Sequence, residues 1–410
     1  MASAQAKPSS ERDGETTPLI GDVADSARRT FRDYTDLVKN KLDVGKHGSV
    51  VEYDTQSLGT FEVFTYTGGT ILTSTQLWRV MGFLLAVVLV IGVVVPFFPN
   101  LQHIEVDGFR KISTFLRVFV AFLLGFFMAN AVQTWKSTVN GLLLLCNAVR
   151  NTQMQLLAIG VSTDKSDLVV RYGVMSVYFL YKELEDAHIR DEAVKQNNQV
   201  EHMKELEEKE LLMAEERSRI EPMDDKSSLM WLWIMAYIGR LAVDGEVPAM
   251  ATPTYGRLME QAAGGLEGIR QVRTSVSVQV PFIYVHTLAA LVHLNSILCA
   301  ITLGMSLGVF MGNILVHLGV HPTETRHNLP SDMGQQLFVA LMSQGMGPFM
   351  YTAFLQISLA FSYPVGPHSE AARIPGLKFI GALMRDTTQA NTLASNPPSW
   401  VRATFKDASK

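Results

Sequence analysis

Val118, Phe122 and Phe126 recur every fourth residue within RVFVAFLLGFFMAN, Arg117 to Asn130, with Gly125 set among them. On a helix this spacing lines the three side chains along one narrow face, while Phe115, Phe119 and Phe127 fall on others. An aromatic ring has a negative face and a positive edge, so rings presented edge-on attract an anion. The same rings presented face-on favour a cation. Arg110, Lys111 and Arg117 cluster at the start of the stretch, a positive entrance to whatever path the rings line. Gly125 lets an adjacent backbone come close. Aromatic residues at helical spacing also serve as plain packing, and that reading stays open beside the first.

His286 and His293 lie seven residues apart, roughly one helix face, and His317 follows in the same apolar run. Facing a pore they would gain positive charge as pH falls; packed between helices they would bond locally. Neither has an acidic or thiol neighbour in sequence, so a metal site is not expected. The chain carries no HExxH, GxSxG or GxxxxGK[ST] pattern. No catalytic, cofactor-binding or metal-ligating residue is therefore assigned, and an enzyme is the least favoured class. Cys146 and Cys299 are the two cysteines, both in apolar runs, which leaves no disulfide framework or thiolate cage. A formal net charge of −4 gives no reason to expect nucleic acid.

The elements that must position these residues are apolar helices. Of 410 residues 48% are hydrophobic and only 18% charged, the balance of a multi-spanning membrane protein with polar extensions. Val80 to Phe98 runs without a charge, enough at ~1.5 Å per residue to cross a bilayer core. The aromatic stretch is the second span, Val118 to Thr134, closed by Trp135 and Lys136 as suits a membrane interface. Thr274 to Val320 holds a third span plus a shorter or re-entrant piece, with Gly304, Gly308 and Gly312 spaced for close helix contact. Met333 to Ser369 holds the fourth, interrupted by Gly345, Gly347 and Pro348. The prediction is an all-α, multi-pass protein with about four main spans.

The expected organisation has a polar N-terminus over 1–45, the first two spans over 46–136 and a helical region over 137–227. A second membrane half over 228–372 and a tail over 373–410 follow. The N-terminal segment lacks a signal-peptide pattern, is too acidic for a typical transit peptide, and contains an acidic dileucine pattern at Glu15–Ile20 and an amphipathic stretch at Asp33–Lys46. Lys182 to Asp225 is crowded with acid–base pairs at helical spacing and reads as a solvated, coiled-coil-like arm. Ser228 to Ala242, SLMWLWIMAYIGRLA, reads as an interfacial or partly inserted helix. Lysine and arginine placement puts both termini and the central region on the cytosolic side. The compartment stays open between plasma, endolysosomal or vacuolar and organellar membranes.

Four stretches in order resemble the bestrophin family of pentameric anion channels. LLGFFMANAVQTW (Leu123–Trp135) is similar to the family's second helix, and VVRYGVMSVYFLYKE (Val169–Glu183) to its arginine–tyrosine cytosolic helix. VPFIYVHTLAALVHLNSILC (Val280–Cys299) resembles its third main span, and MYTAFLQISLAFSYPVGPH (Met350–His368) the end of the last. The resemblance implies a homopentamer in the bilayer, passing chloride, bicarbonate or other small anions passively through a neck of Val118, Phe122 and Phe126. There are departures. One carboxylate, Glu370, stands in Pro367–Ala372 where calcium-gated members carry an acidic run, so calcium gating of the family's kind is not expected. Thr67–Thr70 lacks the arginine of the family's N-terminal motif, and Thr134 replaces an arginine before the second-helix Trp. The second, cytosolic constriction falls somewhere within Val247–Gln271. From a different class, a non-conducting membrane scaffold recruiting partners through the charged arm is the alternative, and a coupled transporter a third possibility without visible inverted repeats.

Overall fold

A computed structural model describes residues 70–98, 106–187, 189–245, 252–317, 331–365 and 373–398. The dileucine pattern, the Asp33–Lys46 stretch, residues 67–69 of the N-terminal motif and the Pro367–Ala372 segment lie outside them.

The first helix, α1 (Thr75–Val94), starts at Ser74, whose Oγ accepts the Leu77 amide as an N-cap. It ends where Pro96 turns the chain into a short 3₁₀ piece, Val95–Phe97. Leu84, Val88 and Gly92, four residues apart, are its buried edge, whereas Phe83, Leu85, Leu89, Val90 and Val93 are exposed on the side suited to lipid.

Helix α2 (Val106–Ala158) runs for 53 residues without a break. Its length of ~80 Å at 1.5 Å per residue is more than twice a bilayer core of about 30 Å. One half must project beyond the membrane. Trp135 marks the crossing and meets Phe361 edge-to-face at 6.1 Å, near the end of the last membrane segment.

The projecting half is the centre of an extramembrane body. Helices α3 (Thr163–Asp186) and α7 (Thr252–Ser277) pack against it, and α6 (Lys226–Val243) packs onto both of them. Trp231 of α6 is fully buried in the shared core, its Nε1 donating to Ser176 Oγ at 3.1 Å. Gly265 of α7 makes room for that ring: a Cβ there would lie 2.2 Å from Trp231. The aromatic helix anticipated at the membrane interface is thus core material, with Met230, Trp231, Ile234, Ile238 and Leu241 buried beside α3 and α7.

The charged segment departs further from its sequence reading. It is two helices, α4 (Glu192–Glu208) and α5 (Ala214–Ile220), folded back onto α3. Glu210 turns the chain between them at φ 55°, and Met203, Leu206, Leu211, Leu212 and Ile220 are buried. A charged clamp fixes the fold-back. Arg171, 1% exposed, donates to both carboxylate oxygens of Glu216, at 3.1 and 2.5 Å, and to the Leu211 carbonyl at 3.0 Å. The Tyr172 hydroxyl also donates to Glu216, at 2.6 Å.

Helix α8 (Phe282–His317) follows Pro281 as one 36-residue helix, not a span and a separate piece. Its small residues meet α1 as their spacing implies. A Cβ at Gly304 would lie 3.0 Å from the Val88 carbonyl oxygen, and one at Gly308 2.5 Å from Val95 Cβ. The last apolar run is α9 (Ser331–Ala340), a π turn (Leu341–Gly345) and α10 (Met346–Ser362). Among the described residues three helices, Thr75–Phe97, Gly108–Ala158 and Phe282–Leu315, are each long and apolar enough to cross a membrane; the fourth expected span falls on this composite, which is not one of them. Finally α11 (Gly376–Ser395) docks on α2 and α3 through Ile380, Leu383 and Met384, so this part of the expected tail is packed.

Candidate functional site

Two opposite faces of α2 have different fates. Val120, Leu124 and Phe127 are buried against Leu288 and Val292 of α8 and Leu355 of α10, which makes the core of the membrane bundle. Val118, Phe122 and Phe126 stay open, at 67, 74 and 58% exposure. The 3.6-residue period alone produces this division. One flank of the open face is stiffened: the Tyr284 hydroxyl donates to the Leu123 carbonyl at 2.6 Å, and its ring meets Phe126 edge-on at 6.1 Å. On the other flank Phe115 and Phe119 stack against each other, tilted, at 4.8 Å. A Cβ at Gly125 would meet nothing within 4 Å, so no backbone among the described residues uses the room it leaves. The open stripe continues down the projecting half with Gln133, Lys136, Asn140, Leu143 and Asn147 exposed at helical intervals, aromatic up to Phe126 and mostly polar from Gln133 on.

Arg110 and Lys111 are exposed at the start of α2. Arg117 takes a different place from the entrance expected of it. About 100° per residue turns it away from Val118 and into the bundle, where its Nη2 donates to Gln344 Oε1 of the π turn at 2.5 Å. The same nitrogen lies 3.3 Å from Cys299 Sγ. His286 and His293 share an exposed face of α8, and the His286 ring packs against Phe282 at 5.4 Å between centroids.

The spacing of Val118, Phe122 and Phe126 gave no hint of the polar cluster behind them. Ser113, Asn295 and Cys299 are fully buried, and Gln344 nearly so. Ser113 Oγ donates to Asn295 Oδ1 at 3.1 Å and lies 3.2 Å from Cys299 Sγ. The available signal was Asn295 and Cys299 four apart inside an apolar run, and Ser113 and Arg117 four apart just ahead of another; polar groups at membrane depth ordinarily turn to the bundle interior.

A membrane bundle with one long helix, aromatic on its open side and extended into a helical body, defines a polytopic α-helical membrane protein. The chain belongs to the bestrophin family: the family model described as "Bestrophin, RFP-TM, chloride channel" matches residues 59–307. Among solved structures the fold is similar to a bacterial bestrophin homologue from Klebsiella pneumoniae at a TM-score of 0.56 and 16% identity, covering 76% of this chain and 98% of that one. It is similar also to a crystal structure described as a membrane protein, at a TM-score of 0.57 and 16% identity over 78% of this chain and 99% of that one. No curated protein matches the chain. This is therefore an integral membrane protein of a chloride-channel family.

Proposed function

We propose that several copies, five by resemblance to the family, gather around an axis with the open faces of their α2 helices turned inward, forming an anion channel. The observation that carries this is the exposure of Val118, Phe122 and Phe126 on one face of a helix whose opposite face is closed by α8 and α10. A bare anion in hydrocarbon costs on the order of tens of kcal/mol, more than ring edges from one chain can offset. Several chains leave instead a narrow, partly hydrated neck that also closes by dewetting. Arg110 and Lys111 raise the anion concentration at its mouth. Chloride and bicarbonate move passively down their gradients, with both termini and the extramembrane body on the cytosolic side.

The charged segment supports a scaffold less well than its sequence suggested, because Arg171 and the α3 core engage it. Purified protein in liposomes tests the channel reading. Chloride, bicarbonate and nitrate are expected to equilibrate across the vesicles while sodium does not. Sodium flux equal to chloride flux, or none of either, would overturn it.

A further inference from the structure

The neck residues share their helix turns with a residue that faces the other way. Arg117 immediately precedes Val118, and its guanidinium sits between Gln344 and Cys299, with a Cβ at Gly347 only 3.9 Å away. Both partners are neutral, so an amide oxygen and a thiol hold a full charge inside the bundle through one short charge-assisted bond. Two further donors, Arg117 Nε and Asn295 Nδ2, are buried without an acceptor among the described residues. Buried donors are rarely left unpaired, and an incompletely satisfied polar cluster is easier to leave than a complete one.

Gln344 reaches Arg117 from a π turn with a visible cause. Pro348 has no N–H to give the Gln344 carbonyl, four residues back, and its ring crowds that oxygen. The helix widens over Leu341–Gly345 to accommodate this, as π turns do inside α-helices. A regular α-helix through the same residues would rotate Gln344 by about 100°, one residue's worth, away from Arg117.

We infer that Arg117 is a positioning residue for conduction: its bond to Gln344, kept in place by the π turn, pins the rotation of α2 so that Phe122 and Phe126 hold the neck open. This rests on the neck reading proposed above. Releasing the bond frees α2 to turn about its axis, and the rings settle where they occlude the path. The consequence is specific. Loss of the latch lowers the fraction of time the channel is open, without changing which ions pass or how fast they pass through an open channel.

Single-channel recording of the purified full-length channel in planar bilayers tests it, with Gln344→Met, Pro348→Ala, their combination, Gln344→Glu and Phe122→Ala compared with wild type. Gln344→Met removes the acceptor and Pro348→Ala restores the N–H that makes the π turn unnecessary. Each is expected to cut open probability at least about fivefold at unchanged unitary conductance and anion-over-cation selectivity. The double variant should fall no further than either alone, since both break one contact. Gln344→Glu keeps an acceptor and should gate like wild type. Should Gln344→Met not assemble, Pro348→Ala decides by the same readout. Unchanged open probability in the assembled variants, or additive losses in the double, would overturn the latch. Phe122→Ala separates the two ideas: altered conductance there with normal gating in the latch variants sinks the latch alone, and unaltered conductance sinks the neck itself.

Discussion

Gly268 of α7 stands so close to Gly141 of α2 that a Cβ on it would lie 2.8 Å from the Gly141 carbonyl oxygen and 2.8 Å from the Leu145 amide nitrogen. Backbone meets backbone there, where α7 packs along the projecting half of α2. No side chain can step aside to admit a methyl group. Gly268→Ala is therefore expected to destabilise the protein by about 1–3 kcal/mol, the usual cost of overpacking. Gly264, on the same helix with nothing within 4 Å of an added Cβ, is the matched control. Gly264→Ala should be neutral or stabilising by up to about 1 kcal/mol, from helix propensity. Thermal unfolding of the detergent-solubilised protein distinguishes them, and equal midpoints would contradict the contact.

The clamp on the folded-back segment makes a second expectation. Glu216→Gln leaves the buried Arg171 guanidinium without a counter-charge, at a cost of about 3–5 kcal/mol. The loss should be local first, at α5 and its junction with α4, because α4 keeps its own bonds to α3, Tyr178 to Glu205 and both Asn198 and His202 to Asp186. Limited proteolysis should then cut between residues 187 and 225 well before the membrane helices. Cleavage at the wild-type rate would show that the clamp contributes nothing.

Acid should loosen the junction of α3, α6 and α7. Asp225 caps α6 and accepts from Arg273 at 2.7 Å, while Arg273 also pairs with Glu183 at 2.7 Å. Burial opposes ionisation of Asp225, but the bonds from Arg273 and Ser228 outweigh it and hold the carboxyl at about 2, below its ordinary 3.8. A carboxyl depressed on folding stabilises fully above its unfolded value, and that contribution disappears as pH falls through the folded one. The window is therefore pH 4 to 2, approximately. Asp225→Asn keeps a capping side chain but no charge, and should flatten the fall of the unfolding midpoint across that window. An identical pH profile for the two proteins would contradict the assignment.

The sequence made the membrane half and the open stripe legible, because apolar length and the 3.6-residue period are local properties. Val118, Phe122 and Phe126 fall on one face for that reason, and Gly304 and Gly308 meet α1 as their spacing implied. What local pattern could not convey depends on distant partners. Lys182–Asp225 looks solvated when its charges are paired along one helix, yet Arg171 finds Glu216 45 residues away and Glu210 reverses the chain. Ser228–Ala242 looks interfacial until Gly265 opens a slot for Trp231. Arg117 looks like part of a basic entrance beside Arg110 and Lys111, and only the π turn before Pro348 brings Gln344 to meet it.

The central claim is that the open face of α2 lines the ion path, and covalent modification during conduction tests it most directly. Cys146 and Cys299 are buried, so a cysteine placed at Phe122 should be the principal target of a small, charged, water-soluble thiol reagent. Phe122→Cys channels in planar bilayers are expected to lose most of their chloride current on exposure to the reagent, in step with labelling. Phe83→Cys, on the exposed side of α1, should keep its current. Complete labelling at position 122 with the current intact, or no labelling in conducting channels, would contradict the account.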